Sequence, residues 1–257
     1  MEQPPSVRTV TIPFADLKER DKDLGGKIEE GLGPRGLGII SIADVPEFPE
    51  LRKKLLRLAP RHVVVVLLII AKLPEDVKKE LEDPESRWYN FGWSHGKEKL
   101  ESGKLDTFKG SFYANPVLDV PTTEDVLVSR YPSYCRPNIW PTDHLPELET
   151  VRPEFMAFLF LSSVAFKALG KLILEVGLML AHHCDLYGLT CGLFTKNSLE
   201  IPCPDTAAGL YIQTRDNRVV KAVFEEDELA YQIGETTEIL SGGHLCATPH
   251  CVQYKVN

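Results

Sequence analysis

Three side chains of this sequence could form a metal site by their type and spacing. His183 and Asp185 are two residues apart, and His250 follows about 65 residues later. Two histidines and one carboxylate on one face can bind a divalent metal and leave positions open for other ligands. Residues i and i+2 of a β-strand point to the same side, so a strand could let His183 and Asp185 bind one ion.

The residues before His183 argue against that pair. Apolar residues recur at spacings of three and four from Phe166 to Leu180, which is typical of an amphipathic helix. If the helix continued, residues i and i+2 would lie about 200° apart, and His183 and Asp185 would face opposite ways. We therefore interpret His183 as a helix-terminal histidine, which the helix dipole favours. His250 is then the remaining predicted metal ligand.

Short extended segments and tight turns surround His250. Residues 210–214, 219–224, 230–233 and 237–240 predict strands. Residues 215–218 predict a hairpin turn between the first two, and the Ser-Gly-Gly sequence at 241–243 predicts a further turn. Pro249 disfavours a helical conformation for the residue before it. His250 is therefore expected to begin a strand or to lie on one.

The segment 234–252 reads G-E-x-x-E-I-L-S-x-G-x-L-x-A-T-P-H-C-V. It resembles the strand pair that carries the distal histidine in the iron(II)/2-oxoglutarate-dependent oxygenase superfamily, in its isopenicillin-N-synthase-like branch. IPFADL at 12–17 and GLGIISI at 36–42 are similar to the two strands that precede the barrel of that family. KLPEDVKKEL at 72–81 is similar to its Leu-Pro helix.

The resemblance implies a fold and a chemistry. It predicts an α+β protein with an N-terminal α/β lobe and a double-stranded β-helix, or jelly-roll, core. It implies Fe(II) and 2-oxoglutarate as cofactors, with His250 as the distal metal ligand. In that family a small organic substrate is hydroxylated or desaturated while 2-oxoglutarate is decarboxylated to succinate.

Two parts of the family pattern have no counterpart in this chain. Residues 168–185 resemble the long helix before the barrel, and LTCGLF at 189–194 resembles the strand that follows the family's H-x-D. The segment with both near ligands is thus missing between them. The R-x-S element, whose arginine pairs with 2-oxoglutarate, is missing as well, because none of the seven residues after His250 is arginine.

These gaps predict an incomplete jelly-roll, an impaired oxygenase and no assignable catalytic residue. The apolar stretches 62–71, a predicted buried strand, and 155–164 look inserted, so the chain reads as a truncated isoform or a mistaken gene model. The alternative is a catalytically inactive variant or an interaction protein. We expect three segments: an N-terminal oxygenase-like lobe at 1–150, a long helix with an apolar insert at 151–185 and a partial jelly-roll core at 186–257.

A zinc site is the other metal hypothesis. Its candidate ligands are Cys184, Cys191, His244, Cys246, His250 and Cys251. They lack the paired C-x2-4-C and H-x3-5-H spacing of structural zinc sites. Scattered buried thiols are therefore the favoured interpretation.

The aromatic residues of the middle segment could line a substrate pocket. Trp88, Phe91, Trp93 and Trp140 lie in loop-rich sequence. Packing of that segment onto the core is the favoured role for each of them, because large aromatic side chains gain most from burial.

Composition limits the partners of the chain. Its 43% hydrophobic and 26% charged residues are ordinary for a globular protein, and a net charge of −8 argues against nucleic-acid or anionic-membrane surfaces. A small-molecule substrate is the expected partner. The N-terminus has no secretory signal pattern, and the six cysteines form no C-x-x-C pair, so we expect a cytoplasmic protein with reduced thiols.

Overall fold

A computed structural model of the chain describes residues 4–58, 74–83, 91–97, 103–107, 110–115, 117–140, 153–181, 187–189, 194–196, 199–201 and 204–253. The chain divides into two compact units, residues 1–50 with 172–257 and residues 51–171. Within the first unit, strands from the first 50 residues pair with strands from the last 60. The three consecutive segments expected from the sequence stay a prediction.

The structure is mixed α/β. Its strands are β1 (Ser6–Arg8), β2 (Val10–Pro13), β3 (Ile39–Ala43), β4 (Gly92–His95), β5 (Gly110–Tyr113), β6 (Tyr187–Leu189), β7 (Phe194–Lys196), β8 (Leu199–Ile201), β9 (Gly209–Gln213), β10 (Val219–Val223), β11 (Leu229–Gln232) and β12 (His250–Gln253). Its helices are α1 (Phe14–Lys18), α2 (Gly25–Leu32), α3 (Phe48–Leu58), α4 (Glu75–Glu80), α5 (Asp125–Arg130), α6 (Pro132–Cys135), α7 (Pro153–Ala181) and α8 (Glu235–Leu240).

Two four-stranded sheets make up the first unit. One has the strand order β1-β10-β9-β12 and the other has the order β2-β3-β11-β6. β1 pairs in parallel with β10, and β2 pairs in parallel with β3, whereas the other pairs in both sheets are antiparallel. The N-terminal strands therefore complete sheets whose other strands come mainly from the C-terminal part.

A shared apolar core packs the two sheets face to face. Ile39 and Ala230 project into it from one sheet, and Ile212, Val220 and Ala222 project from the other. Each of these side chains is at most 5% exposed, so the sheets form a sandwich with an apolar core. This arrangement agrees with the predicted jelly-roll type of core.

The opposite face of the second sheet packs on helix α7. Tyr231 of β11 points away from the sandwich core and donates a hydrogen bond from its hydroxyl to the carbonyl of Ile173, at 2.7 Å. Burial raises the pKa of the Tyr231 phenol. Gly177 of α7 lies against the ring, where a Cβ would come within 3.1 Å of the Tyr231 ring edge.

Several local predictions are confirmed. β9 and β10 form the predicted hairpin, and Asn217 has a φ of 60° in its turn, a conformation that asparagine tolerates better than most residues. His250 is the first residue of β12, as its position after Pro249 predicts. The predicted strand at 62–71 lies outside the described residues.

Two predictions near the ends of elements are wrong. Residues 237–240 lie in helix α8, and the Glu238 amide donates to the Gly234 carbonyl at 3.2 Å. The apolar Ile239 and Leu240 suggested a strand, but both are more than 70% exposed, so they do not mark a buried face. Helix α7 begins at Pro153 rather than near Phe166, so the stretch 155–164 is part of that helix.

None of the helices in the described ranges combines the length and apolar character needed to cross a membrane.

Two of the four aromatic residues considered in the sequence analysis are buried in the second unit, as the packing role predicts. Phe91 and Trp93 are at most 3% exposed. Trp140 is half-buried, and its indole Nε1–H donates to Asp119 Oδ1 at 2.7 Å. Trp88 lies outside the described residues.

Asp119 is the electrostatic centre of this part of the second unit. Lys167 forms a short ion pair with it, Asn138 Nδ2 donates to Oδ1 at 3.0 Å, and Trp140 donates to the same oxygen. Hydrogen bonds from Lys167 and then Asn138 and Trp140 lower the pKa of Asp119 to about 2. A lowered folded-state pKa stabilises the protein above the ordinary value of 3.8, and the effect is lost as the pH falls towards 2.

Asp119→Asn should therefore destabilise the protein at pH 7 and have little effect near pH 2. We expect a loss of about 1 kcal/mol at pH 7, a modest value because the carboxylate is partly exposed. Urea unfolding of both proteins at each pH measures this difference. Asp21→Asn is the matched control, since Asp21 is exposed and should show no such dependence. An equal destabilisation at both pH values would contradict the prediction.

A buried carboxylate links the N-terminal strands to the connection between β10 and β11. Glu228 has a side chain only 6% exposed, and its Oε1 accepts a hydrogen bond from Arg8 Nη2 at 2.8 Å. Its Oε2 accepts from Ser41 Oγ at 3.0 Å and from the Glu225 amide at 2.9 Å. Both oxygens are therefore satisfied by groups from three separate segments.

Glu228→Gln should lower the free energy of unfolding by about 2–3 kcal/mol. The NH2 group of the new glutamine is a donor, so it cannot accept the hydrogen bonds that now reach one of the carboxylate oxygens. Chemical denaturation measures the loss. Asp227→Asn removes an exposed acid from the same turn and should change stability by less than about 0.5 kcal/mol. Equal effects of the two substitutions would show that Glu228 does not have this linking role.

Candidate functional site

One end of the sandwich gathers four chain segments around His250. The β9–β10 hairpin is closed there by the Thr214 amide, which donates to the Arg218 carbonyl at 2.8 Å. β12 begins beside the end of β9, and the Gln213 amide donates to the Pro249 carbonyl at 2.9 Å. β3 begins at the same end, where Ile39 is opposite Gln232, the last residue of β11.

The pairing of β12 with β9 fixes the direction of the His250 side chain. His250 is directly opposite Ile212, which is fully buried in the core between the sheets. Opposed residues of an antiparallel pair project to the same face. His250 therefore projects from the inner face of its sheet, and it is exposed because β12 is the edge strand of that sheet in the described part of the chain.

A hydrogen bond within the strand approach orients the imidazole. His250 Nδ1 lies 3.0 Å from the carbonyl oxygen of Thr248. A carbonyl oxygen only accepts, so the neutral ring must carry its proton on Nδ1 to make this bond. Nε2 then keeps its lone pair. A metal-binding histidine is commonly held in the same way, with its other nitrogen bound to a backbone carbonyl.

The segment before His250 is anchored by a close backbone approach. Thr248 is 4% exposed, and its Oγ1 donates to the Leu37 carbonyl at 2.7 Å. Gly38 has a φ of 70°, and a Cβ at this position would lie 2.7 Å from Thr248 Oγ1. The Cys246 amide donates to the Leu32 carbonyl at 2.8 Å. The start of β3 thus holds the turn that presents His250.

The two candidate metal ligands that the sequence analysis rejected cannot be compared with His250 in the described part of the chain. His183 and Asp185 lie outside the described residues, which end at Ala181 in α7 and resume at Tyr187 in β6. The helical geometry on which we rejected the pair is observed only as far as Ala181. Their exclusion as metal ligands stays a prediction.

No cluster of possible zinc ligands supports the zinc hypothesis in the described part of the chain. Among the described residues, no three His, Cys, Asp or Glu side chains are grouped as they would be around an ion. Cys246 is buried and its thiol contacts the Gly243 carbonyl at 3.4 Å. His244 and Cys251 are exposed. Cys184 and Cys191 lie outside the described residues.

Two polar residues at this end were missed by sequence reasoning. Gln232 is 5% exposed, and its Nε2 has no hydrogen-bond partner among the described residues. It is on the same inner face as Ala230, two residues earlier in β11. Arg35 lies in the turn after α2 and lines a cavity. The pairing register places Gln232, and the backbone hydrogen bonds of the turn after α2 place Arg35. No local motif marks either residue.

Comparisons with known proteins support the fold. No protein-family model and no curated protein sequence matches the chain. A solved structure from Caulobacter crescentus, of a protein assigned to the 2OG-Fe(II) oxygenase family, is 15% identical. It has a TM-score of 0.51 over 95% of this chain and 79% of its own. The chain therefore has the fold of that family, and the resemblance predicted from the sequence is confirmed at the level of the fold.

Other solved structures are similar with lower scores. The dioxygenase for auxin oxidation 1 from Arabidopsis thaliana, with 2-oxoglutarate, is 14% identical with a TM-score of 0.48 over 96% of this chain and 88% of its own. A full-length Neurospora crassa protein in complex with alpha-KG and thymine is 16% identical, with a TM-score of 0.47 over 98% of this chain and 81% of its own.

The orientation of His250 predicts its tautomer. In its neutral form the ring should carry its proton on Nδ1, because the Thr248 carbonyl oxygen can only accept. Nitrogen-15 NMR of selectively labelled histidine measures this directly. The exposed His244 is the internal control and should show the tautomer mixture of free imidazole. A His250 ring protonated on Nε2 would contradict the hydrogen bond to Thr248.

Proposed function

We propose that this chain is a non-haem iron(II)/2-oxoglutarate-dependent oxygenase-type protein whose substrate is a small organic molecule. In this proposal His250 occupies the distal-ligand position and iron-dependent turnover is impaired. The observation that carries it is the contact between His250 Nδ1 and the Thr248 carbonyl, which leaves Nε2 available to a metal. The shared fold with the Caulobacter crescentus protein supports the same assignment.

The described residues supply one metal ligand at this place, His250, whereas a facial iron site needs three. A facial site needs a second histidine and a carboxylate, and no such group accompanies His250 in the described part of the chain. Ferrous iron with 2-oxoglutarate would supply the oxidising chemistry when bound. With a single protein ligand, His250 would hold such an ion weakly.

A catalytically inactive protein that acts through contacts is the second candidate. Its specific support is β12, whose four residues are all exposed at the edge of its sheet in the described part of the chain. An edge strand presents backbone groups that can pair with another strand. Turnover that depends on iron would exclude this candidate.

Anaerobic titration with Fe(II) and 2-oxoglutarate, followed by a succinate assay in air, tests the proposal. We expect weak Fe(II) binding and succinate at the level of the protein-free control. His250→Ala should lower Fe(II) affinity by roughly tenfold or more, because it removes the proposed ligand. His244→Ala is the matched control and should leave the affinity unchanged.

Two results would contradict this account in different ways. Fe(II) affinity that is unchanged in His250→Ala would remove the ligand role of His250. Efficient succinate production would contradict the impairment and would point to a complete metal site. In that case His183→Ala and Asp185→Ala should each abolish turnover, although our helical interpretation predicts no effect.

A further inference from the structure

A cavity of about 680 Å³ opens at the edge of the sandwich formed by β1 and β10. Its apolar floor consists of Val7, Leu37, Ile39 and Val220. Volumes of about 300–1,000 Å³ with mainly apolar walls are usual for small-molecule sites. The cavity is therefore large enough for a small organic ligand, and its floor favours a ligand with a hydrocarbon part.

Four arginines line the rim of this cavity, although the chain as a whole has a net charge of −8. They are Arg8, Arg35, Arg215 and Arg218, and the acidic rim residues are Glu30 and Asp216. A rim arginine attracts an anion where no carboxylate already compensates its charge.

Three of the four guanidinium groups already have carboxylate partners. Arg8, the last residue of β1, pairs with Glu225 and Glu228 of the β10–β11 connection. Arg215 Nη2 contacts Glu238 Oε1 at 2.7 Å.

Arg218 is the third paired arginine, because its Nε contacts Asp216 Oδ2 at 2.6 Å. Arg35 is the fourth rim arginine, and it makes no ion pair within the described residues. It is exposed. An incoming anion would meet an uncompensated charge only at Arg35.

The turn that carries Arg35 is held in place by the backbone. The Gly33 amide donates to Glu29 at 3.0 Å, the Gly36 amide to Gly33 at 2.9 Å and the Gly38 amide to Gly31 at 2.9 Å. The base of the Arg35 side chain is therefore fixed at the rim, which lowers the entropic cost of pairing with a ligand.

The cavity floor and His250 lie at different places on the same inner face of one sheet. Val7 is on β1 and His250 is on β12, the two outer strands, which are about 14 Å apart at a spacing of about 4.8 Å per strand. Val220 is opposite Ile212, which is opposite His250, so Val220 is two strands, or about 10 Å, from His250. A ligand on Val7 is therefore centred at the opposite edge of the sheet from His250.

We propose that this cavity is a second ligand site, which binds a small organic carboxylate with an apolar body. Arg35 pairs with the carboxylate through its planar guanidinium, and the floor takes the hydrocarbon part. Glu30 opposes the anion and limits its affinity. The site needs no iron, so it can be tested on metal-free protein and can stand or fall independently of the oxygenase chemistry.

Isothermal titration calorimetry of the metal-free protein with octanoate tests the site. We expect saturable 1:1 binding that Arg35→Gln weakens by roughly tenfold, since a charge-assisted hydrogen bond is lost. Arg35→Lys should restore part of the affinity, and Glu30→Gln should raise it. Arg20→Gln is the matched control, because Arg20 is exposed outside the cavity and its loss should change nothing.

Two further probes separate the contributions of the rim and the floor. 1-Octanol, which lacks the charge, and inorganic phosphate, which lacks the apolar body, should each bind at least about tenfold more weakly than octanoate. The proposal is overturned if octanoate does not saturate, if Arg35→Gln binds it as tightly as the parent protein, or if phosphate binds equally well. Unchanged thermal unfolding of the variants verifies that they remain folded.

Discussion

The pairing of N-terminal with C-terminal strands is the constraint on which the rest of this structure depends. β1 joins β10 and β2 joins β3, and the buried carboxylate of Glu228 accepts hydrogen bonds from donors on both sides of that junction. A buried carboxylate is costly unless its oxygens are satisfied. The sandwich, its core and the open end that carries His250 therefore form together, from residues more than 180 positions apart.

The same long-range contacts shape both sites. Gly38 and Leu37, which precede β3, hold Thr248, and Thr248 in turn orients the imidazole of His250. The loop just before them carries Arg35 to the rim of the cavity at the β1–β10 edge of the same sheet. One N-terminal loop thus positions a candidate metal ligand and a candidate carboxylate partner.

Local patterns predicted much of this arrangement. The hairpin at Asn217, the strand start at His250 and the body of helix α7 follow from turn chemistry, proline and apolar periodicity. Residues 237–240 were assigned wrongly because Ile239 and Leu240 are apolar but exposed. Arg35 and Gln232 could not be found from the sequence, because their placement depends on pairing register and on which arginines already have partners.

Paramagnetic NMR with substoichiometric Mn(II) tests the central claim, that the fold presents His250 as a metal ligand. Relaxation enhancement falls steeply with distance from the ion, so the affected signals locate it without any need for turnover. The account predicts that His250 and Thr248 broaden first, while the exposed His244 ring and the Arg35 turn broaden no more than other exposed residues. Broadening centred elsewhere, or the same pattern in His250→Ala, would contradict it.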